Sequence, residues 1–352
     1  MLFLLTALLT LNLFVSCSDD DGQPTPPGVV PDHALFVVNA GNWGSGNATL
    51  SLYDPATQEV TNEIFAALNG YKLGDTAQSM VINDDIAWVV VNNSHIIYAI
   101  DLKTMKEKGR ITGVHSPRYI CFASDEKAYI SQMYSNKITV FNPKTYTVTG
   151  TITCSNMDTN NGSTEEMIYE DGYLYVACWS YQKELLKIDT RTDKVVATLE
   201  VGIQPASMVE DDNNKLWVLC DGGQWDGNPI GFEAPTLCRI NPKTMSIEAT
   251  FTFTKGDYLS KIRINEEENR LYWINNGALY RMSINDQTLP TTPYIQGEGM
   301  FYAVTLDPKN EDIYLADAID YQQQGIIYRY TAAGQPIHSF YGGIIPTEFC
   351  WR

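Results

Sequence analysis

The sequence predicts an all-β chain closed into a single seven-bladed β-propeller, with four antiparallel strands to a blade. Three observations lead there. An aromatic residue recurs inside an apolar strand pattern at Phe36, Trp88, Tyr129, Tyr175, Trp217, Tyr272 and Tyr314, at intervals of 41 to 55 residues. From the second copy on, an apolar residue precedes it: Met80, Ile120, Met167, Met208, Ile262 and Val304. A strand that closes in an Asx turn follows it, at Asp54, Asp101, Asn142, Asp189 and Asn241, with a threonine three residues on at Thr57, Thr104, Thr145, Thr192 and Thr244. A fourth strand, as in Val195–Leu199, completes each unit. Four short strands repeated every 40 to 50 residues or so make a propeller blade, which buries its faces only against its neighbours.

The first 32 residues stand outside this repeat. Met1 to Ser16 carry no charge and are dominated by Leu, Phe and Val. The run is shorter than the roughly 20 residues of a membrane span and reads as a secretion signal. It ends Leu13-Phe14-Val15-Ser16-Cys17, a pattern similar to a bacterial lipobox, which implies a diacylated Cys17. Ser18-Asp19-Asp20-Asp21-Gly22 resembles the acidic signal that sends lipoproteins of Bacteroidetes to the outer face of the outer membrane. Residues 17–32, with four prolines, form a flexible tether. Residues 33–352 are then one domain, although length alone would suggest two or three.

The blades follow in order. The first copy begins at His33 with its second strand, and no first strand precedes it. Copies two to five keep the full pattern. Copies six and seven lose the Asx turn, reading Met282-Ser283 and Tyr330-Thr331. The last copy ends near Tyr341, which leaves Pro346 to Trp351 over. Phe349 supplies the missing seventh member of the first-strand column. Pro346, three residues before it, matches Pro117 and Pro205. The C-terminus is therefore expected to pair into the first blade as its innermost strand, which removes two open sheet edges at once.

These copies resemble the YVTN-type propeller repeat, as in Leu174-Tyr175-Val176-Ala177 followed by Leu186-Lys187-Ile188-Asp189-Thr190-Arg191-Thr192-Asp193-Lys194-Val195. The overall organisation is similar to the BtuG-type surface propellers of gut Bacteroidetes, which capture cobalamin. That resemblance implies a corrinoid ligand, bound as cargo rather than as a cofactor, and a TonB-dependent outer-membrane transporter as partner.

Charge and motifs narrow the function. With 24 basic and 42 acidic side chains the net charge is −18, which argues against nucleic acid. No Gly-rich phosphate loop, His-Glu-x-x-His, Gly-x-Ser-x-Gly or Cys-x-x-Cys is present. No catalytic residue or metal ligand is assigned, and the chain reads as a binding protein rather than an enzyme. His95 and His115 fall on one face, either as a two-histidine site or as two solvated loop residues. Cys220 and Cys238 lie on consecutive strands and either pair or stay free. Asp75-Thr76-Ala77 resembles an O-glycosylation acceptor of exported proteins.

The candidate ligand face comes from the loops joining second to third strands, with the approaches to first strands. Three of these loops are long and aromatic: Asn39–Ala48, Asp221–Pro235 and Ala318–Gly325. The candidate ligand contacts are Asn42, Trp43, Asn92, His95, Arg118, Tyr134, Trp179, Tyr181, Trp225, Asp226, Asn276, Tyr302, Asp320 and Tyr321. Aromatic faces offer area at low entropic cost, and amides offer paired hydrogen bonds, so the face suits a large polar ligand. The expected function is capture of such a nutrient at the cell surface. Two alternatives use the same face: a glycan or protein adhesin, and a metal-dependent lactonase or lyase built on Glu165, Glu166, Asn275 and Glu348.

Overall fold

The computed structural model describes residues 30–352, apart from Asn156, Thr159, Glu266, Glu268 and Glu298. The signal sequence, Cys17 and the tether as far as residue 29 lie outside the described residues.

Seven antiparallel sheets follow one another around a channel. Blade 2 shows the unit: Ala77–Asn83, Ile86–Val91, Ile96–Asp101 and Glu107–Ile111, paired in that order. Each innermost strand packs against the innermost strand of the next blade, and the seventh packs against the first. The ring is closed as the sequence predicts. Pro346–Trp351 pairs with Leu35–Asn39, opposing Phe349 to Val37 and Cys350 to Phe36. In blade 2, Met80 opposes Val89, the residue after Trp88. Phe349 stands in the same relation to Phe36, so it occupies the register position of the first-strand column.

The recurring aromatics are core residues. Phe36, Trp88, Tyr129, Tyr175, Trp217, Tyr272 and Tyr314 are all buried. Among the described residues the apolar side chains fall into seven clusters, each bridging two neighbouring blades. The cluster at the seam joins Leu35, Val37 and Phe349 of blade 1 to Ala303, Tyr314 and Phe340 of blade 7. Tyr53 stacks on Phe340 there at 4.1 Å. Burial of one such aromatic is worth about 2–3 kcal/mol. A blade has no core of its own, so its stability lies in its two flanks.

The Asx turns are built as the sequence indicates. The Asn142 carboxamide oxygen accepts from the N–H groups of Lys144 and Thr145, and Asp101 accepts likewise from Lys103 and Thr104. The fourth residue after each Asx takes a left-handed conformation without being glycine: Gln58, Met105, Tyr146, Asp193 and Met245. The capped turn holds these residues in a region that costs an ordinary side chain about 1 kcal/mol or more.

Blade 6 departs from the expected four strands. Among the described residues its sheet holds only Leu259–Asn265, Arg270–Asn275 and Ala278–Ser283. The segment that follows meets the sheet through one isolated bridge, Leu279 to Ile295. Pro290 and Pro293 lie in it and have no N–H to give a ladder. Blade 1 carries a short outer strand, Val60–Thr61, before a single helical turn, Ile64–Asn69.

The C-terminus meets the start of the first described strand at one rim. Arg352 N–H donates to Ala34 O at 3.0 Å, and His33 Nε2 lies 3.0 Å from Asp307 Oδ2. From there the strand Leu35–Asn39 runs toward the opposite rim, where the long loops lie.

Candidate functional site

The innermost strands carry the feature that shapes the channel. All seven have a register irregularity near their mouth-side end, between Ala77 and Ser79, Pro117 and Ile120, Thr164 and Met167, Pro205 and Ser207, Ser260 and Ile262, Phe301 and Ala303, and Pro346 and Glu348. Extra residues on one strand re-aim side chains at the edge of a sheet. Here they are Gln78, Arg118, Tyr119, Glu165, Glu166, Ala206, Lys261, Tyr302 and Thr347, and all but Glu166 line one cleft at the mouth, of about 310 Å³. Trp179, Asp221, Gln224 and Tyr258 complete its wall.

Beneath the cleft the channel is crossed by buried ion pairs. Lys261 Nζ lies 2.8 Å from Glu348 Oε2 and 3.5 Å from Glu166 Oε1, and donates to Tyr119 Oη at 2.7 Å. Arg263 reaches Glu348 Oε1 at 2.7 Å and Glu166 Oε1 at 3.4 Å. Arg118 Nε donates to both oxygens of Glu165 at 2.8 and 3.1 Å. Three cations thus face three carboxylates, drawn from blades 1, 3, 4 and 6. Burial works against the charges of Arg118, Lys261, Arg263 and Glu348, and their partners outweigh it. Glu348 is held down to about 2 by Lys261 and Arg263, and the Lys261 ammonium is raised by Glu348, Tyr119 and Glu166. Such pairs are weak as net stabilisers but costly to break singly.

The metal-site alternative placed Glu165, Glu166, Asn275 and Glu348 together. Glu166 and Glu348 do converge, on Lys261 and Arg263. Glu165 instead pairs with Arg118, and Asn275 Nδ2 donates to Asp257 at 3.2 Å. Among the described residues no cluster of three or more His, Cys, Asp or Glu is arranged to hold a metal ion.

The candidate contacts divide into exposed rim residues, residues that line the cleft (Arg118, Trp179 and Tyr302) and residues bonded to the scaffold. Trp43 and Trp225 are 61% and 51% exposed at the tips of the blade 1 and blade 5 loops. Tyr134 and Tyr321 are exposed, and Tyr321 meets Tyr302 edge-on at 6.0 Å. Asp226 and Asp320 are exposed, the latter capping the N–H groups of Gln322 and Gln323. Asn42 Nδ2 donates to Tyr321 O at 2.6 Å, which ties the loops of blades 1 and 7 together. The blade 7 loop is shorter than expected, because the strand Gln324–Tyr330 already holds Gln324 and Gly325.

Asn92, in contrast, is 1% exposed and donates to Pro117 O at 3.0 Å, bracketing blades 2 and 3. Its amide is thereby withdrawn from the ligand face. Asn276 is exposed but engaged at both ends, accepting from Tyr258 N–H and donating to Asp257. Tyr181 sits half-buried with its N–H directed at Gln204. His95 accepts from Ser116 N–H at 2.9 Å. Arg118 lies under the Trp179 ring at 5.7 Å and in the Glu165 pair. Thr76 is half-buried and donates to Asp75, which also accepts from Gly44 N–H.

Asp221 organises the blade 5 loop, a role the sequence does not reveal. It is buried and accepts from Trp179 Nε1 at 2.8 Å, from Gln204 Nε2 at 3.0 and 3.1 Å, and from Gly223 N–H at 2.8 Å. Burial raises its carboxyl against the pull of these donors. Asn228 extends the network to Gln204 and Gly223 O. Cys220 and Cys238 are both free, because the register opposes Cys220 to Thr236 and Cys238 to Val218.

Several solved structures are similar across most of the chain. A protein from Lactobacillus plantarum superposes with a TM-score of 0.68 at 12% identity, covering 91% of this chain and 99% of that one. A quinonprotein alcohol dehydrogenase-like protein from Bacteroides thetaiotaomicron gives 0.65 at 15% identity, covering 90% and 77%. The WD40 β-propeller domain of Doa1 gives 0.58 at 11% identity, covering 82% and 88%. At these identities the likeness shows the fold alone. No curated protein matches the chain. The family model described as Domain of unknown function (DUF5074) matches residues 33–341, from the first blade into the outer strand of the seventh, and the chain belongs to that family.

Proposed function

We propose that the protein is a non-catalytic binding protein that captures a large, amide-bearing small molecule on the loop rim of its propeller, with a corrinoid as the favoured ligand. The observation that carries this reading is the placement of aromatic side chains. Of the seven tryptophans, Trp43 and Trp225 are exposed, and both stand on the rim that surrounds the mouth cleft. Tyr134, Tyr258 and Tyr321 are exposed on the same rim. Polar groups ring the cleft floor, and its charges are paired. A neutral ligand with an extended apolar framework and hydrogen-bonding arms fits this better than an ion does.

The lipobox-like Cys17 and the acidic residues after it extend the proposal to a lipid-anchored protein on the outer face of the outer membrane. A TonB-dependent transporter is the natural recipient of the ligand. Stacking of Trp43 and Trp225 on sugar rings would serve a glycan instead, and the test includes that case.

The soluble chain from Ser18 is titrated calorimetrically with hydroxocobalamin, cyanocobalamin and a panel of oligosaccharides, with and without chelator. Corrinoid binding in the micromolar range or tighter is expected. Binding weaker than about 1 mM, only about −4 kcal/mol, removes the corrinoid. Saturable binding of a sugar replaces it with the glycan reading, and chelator-sensitive turnover replaces both with an enzyme.

A further inference from the structure

Two imidazoles stack on the rim between blades 2 and 3. His95 follows the second strand of blade 2, and His115 precedes the innermost strand of blade 3. Their ring centroids are 5.0 Å apart and their planes are inclined by 20°. Both side chains are exposed on the loop face.

Their Nδ1 atoms are engaged in opposite senses. Ser116 N–H donates to His95 Nδ1 at 2.9 Å, so that nitrogen keeps its lone pair and the neutral ring carries its proton on Nε2. His115 Nδ1 faces the Met133 carbonyl oxygen at 3.5 Å. A carbonyl can only accept, so this long contact is a hydrogen bond in the tautomer that carries the His115 proton on Nδ1, and in that tautomer Nε2 keeps its lone pair. A histidine oriented through Nδ1–H to a carbonyl is the arrangement that presents Nε2 to a metal.

A single nitrogen does not hold an ion by itself, since a resident metal takes three or four protein donors. One nitrogen is sufficient where a macrocycle already fills the equatorial positions of a metal and leaves an axial position to exchange. We infer that His115 Nε2 is an axial ligand to the cobalt of the captured corrinoid. This rests on the corrinoid reading above and adds the point of attachment. With aquocobalamin, the bond between cobalt and its water breaks and water leaves. The His115 lone pair forms the new Co–N bond, cobalt stays trivalent, and no proton moves. His95 is a positioning residue, its ring backing that of His115 and limiting rotation.

The test is visible absorption of aquocobalamin on the chain from Ser18, with cyanocobalamin, whose axial cyanide exchanges poorly, as the control. The expected result is a band shift matching that of aquocobalamin with free imidazole. His115→Ala should abolish the shift and weaken aquocobalamin by about tenfold or more, a difference of at least about 1.4 kcal/mol, while cyanocobalamin affinity stays the same. His115→Gln should behave as His115→Ala, which separates ligation from hydrogen bonding. If aquocobalamin binds wild type with an unshifted spectrum, the axial ligand is overturned and the corrinoid reading stands. If the shift survives in His115→Ala and disappears in His95→Ala, the assignment to His115 is overturned. If neither corrinoid binds, the reading beneath it fails and the inference with it.

Discussion

Lys261 Nζ and Glu348 Oε2 lie 2.8 Å apart, joining blade 6 to the strand that completes blade 1. Arg263 takes the other oxygen at 2.7 Å. The closing strand is therefore held along its edge by pairing with Leu35–Asn39, on its flank by Phe349, and across the channel by Glu348.

Deletion of Glu348–Arg352 should abolish cooperative folding. It removes the partners of Leu35 to Val38 and leaves that strand as an open edge in the middle of the ring. Thermal unfolding followed by circular dichroism checks this, and a truncated chain that melts at the wild-type temperature contradicts the closure.

Acid should act on the same contact. Burial alone would raise Glu348, but Lys261 and Arg263 outweigh it and hold its carboxyl at about 2, below the usual 4.5. The folded state thus takes up this proton less readily than the unfolded one. The stability it confers is full above about pH 4.5 and is lost as the pH falls toward 2. Glu348→Gln should lower stability at pH 7 by a quantity of order 3 kcal/mol and flatten the fall across that window. Chemical denaturation at pH 7, 4.5 and 3 measures both effects.

The exposed tryptophans should separate binding from folding. Trp43→Ala with Trp225→Ala should leave stability within about 0.5 kcal/mol, since neither ring is in the core. Ligand affinity should fall by more than about tenfold, a loss of over 1.4 kcal/mol. Equal affinity in calorimetry would show that the rim is not the binding surface.

Asp221→Ala should do the reverse. It strands the donors of Trp179, Gln204 and Gly223 in a buried setting, at a cost of about 2–4 kcal/mol. Faster proteolytic cleavage within residues 221–235 is the local readout. Asp221→Asn should recover part of the loss.

The cysteines should be unreactive in the native state. Burial raises the thiols of Cys178 and Cys220 well above the usual value and pushes Cys121, Cys154 and Cys350 up to about 12. A thiol reagent should titrate the chain from Ser18 slowly until denaturant is added, then react with all six. A count of four after denaturation would reveal a disulfide.

The fold was legible because its signals are local or strictly repeated. One aromatic per blade, one Asx turn and one leftover strand at Phe349 were enough to count the blades and close the ring. The missing fourth strand of blade 6 had its signal in Pro290 and Pro293. The floor of the site was legible only in part: Glu166 and Glu348 were placed together, and their cationic partners were not. Lys261, Glu166, Arg263, Glu348 and Tyr119 come from four blades, and no spacing along the chain relates them. The irregularities that turn Gln78 or Tyr302 inward depend on pairing register, which composition does not carry. Asn92 has the residue type of a ligand contact, and only its partner, the Pro117 carbonyl, reveals that it serves the scaffold.

The rim where Arg352 N–H meets Ala34 lies opposite the rim that carries Trp43 and Trp225. Under the proposed anchoring through Cys17, a ring whose described chain enters at Val30 turns the loop rim away from its point of attachment, so a ligand held there as proposed is passed to a neighbour level with the anchor by turning over the whole disc and not by movement within the blades.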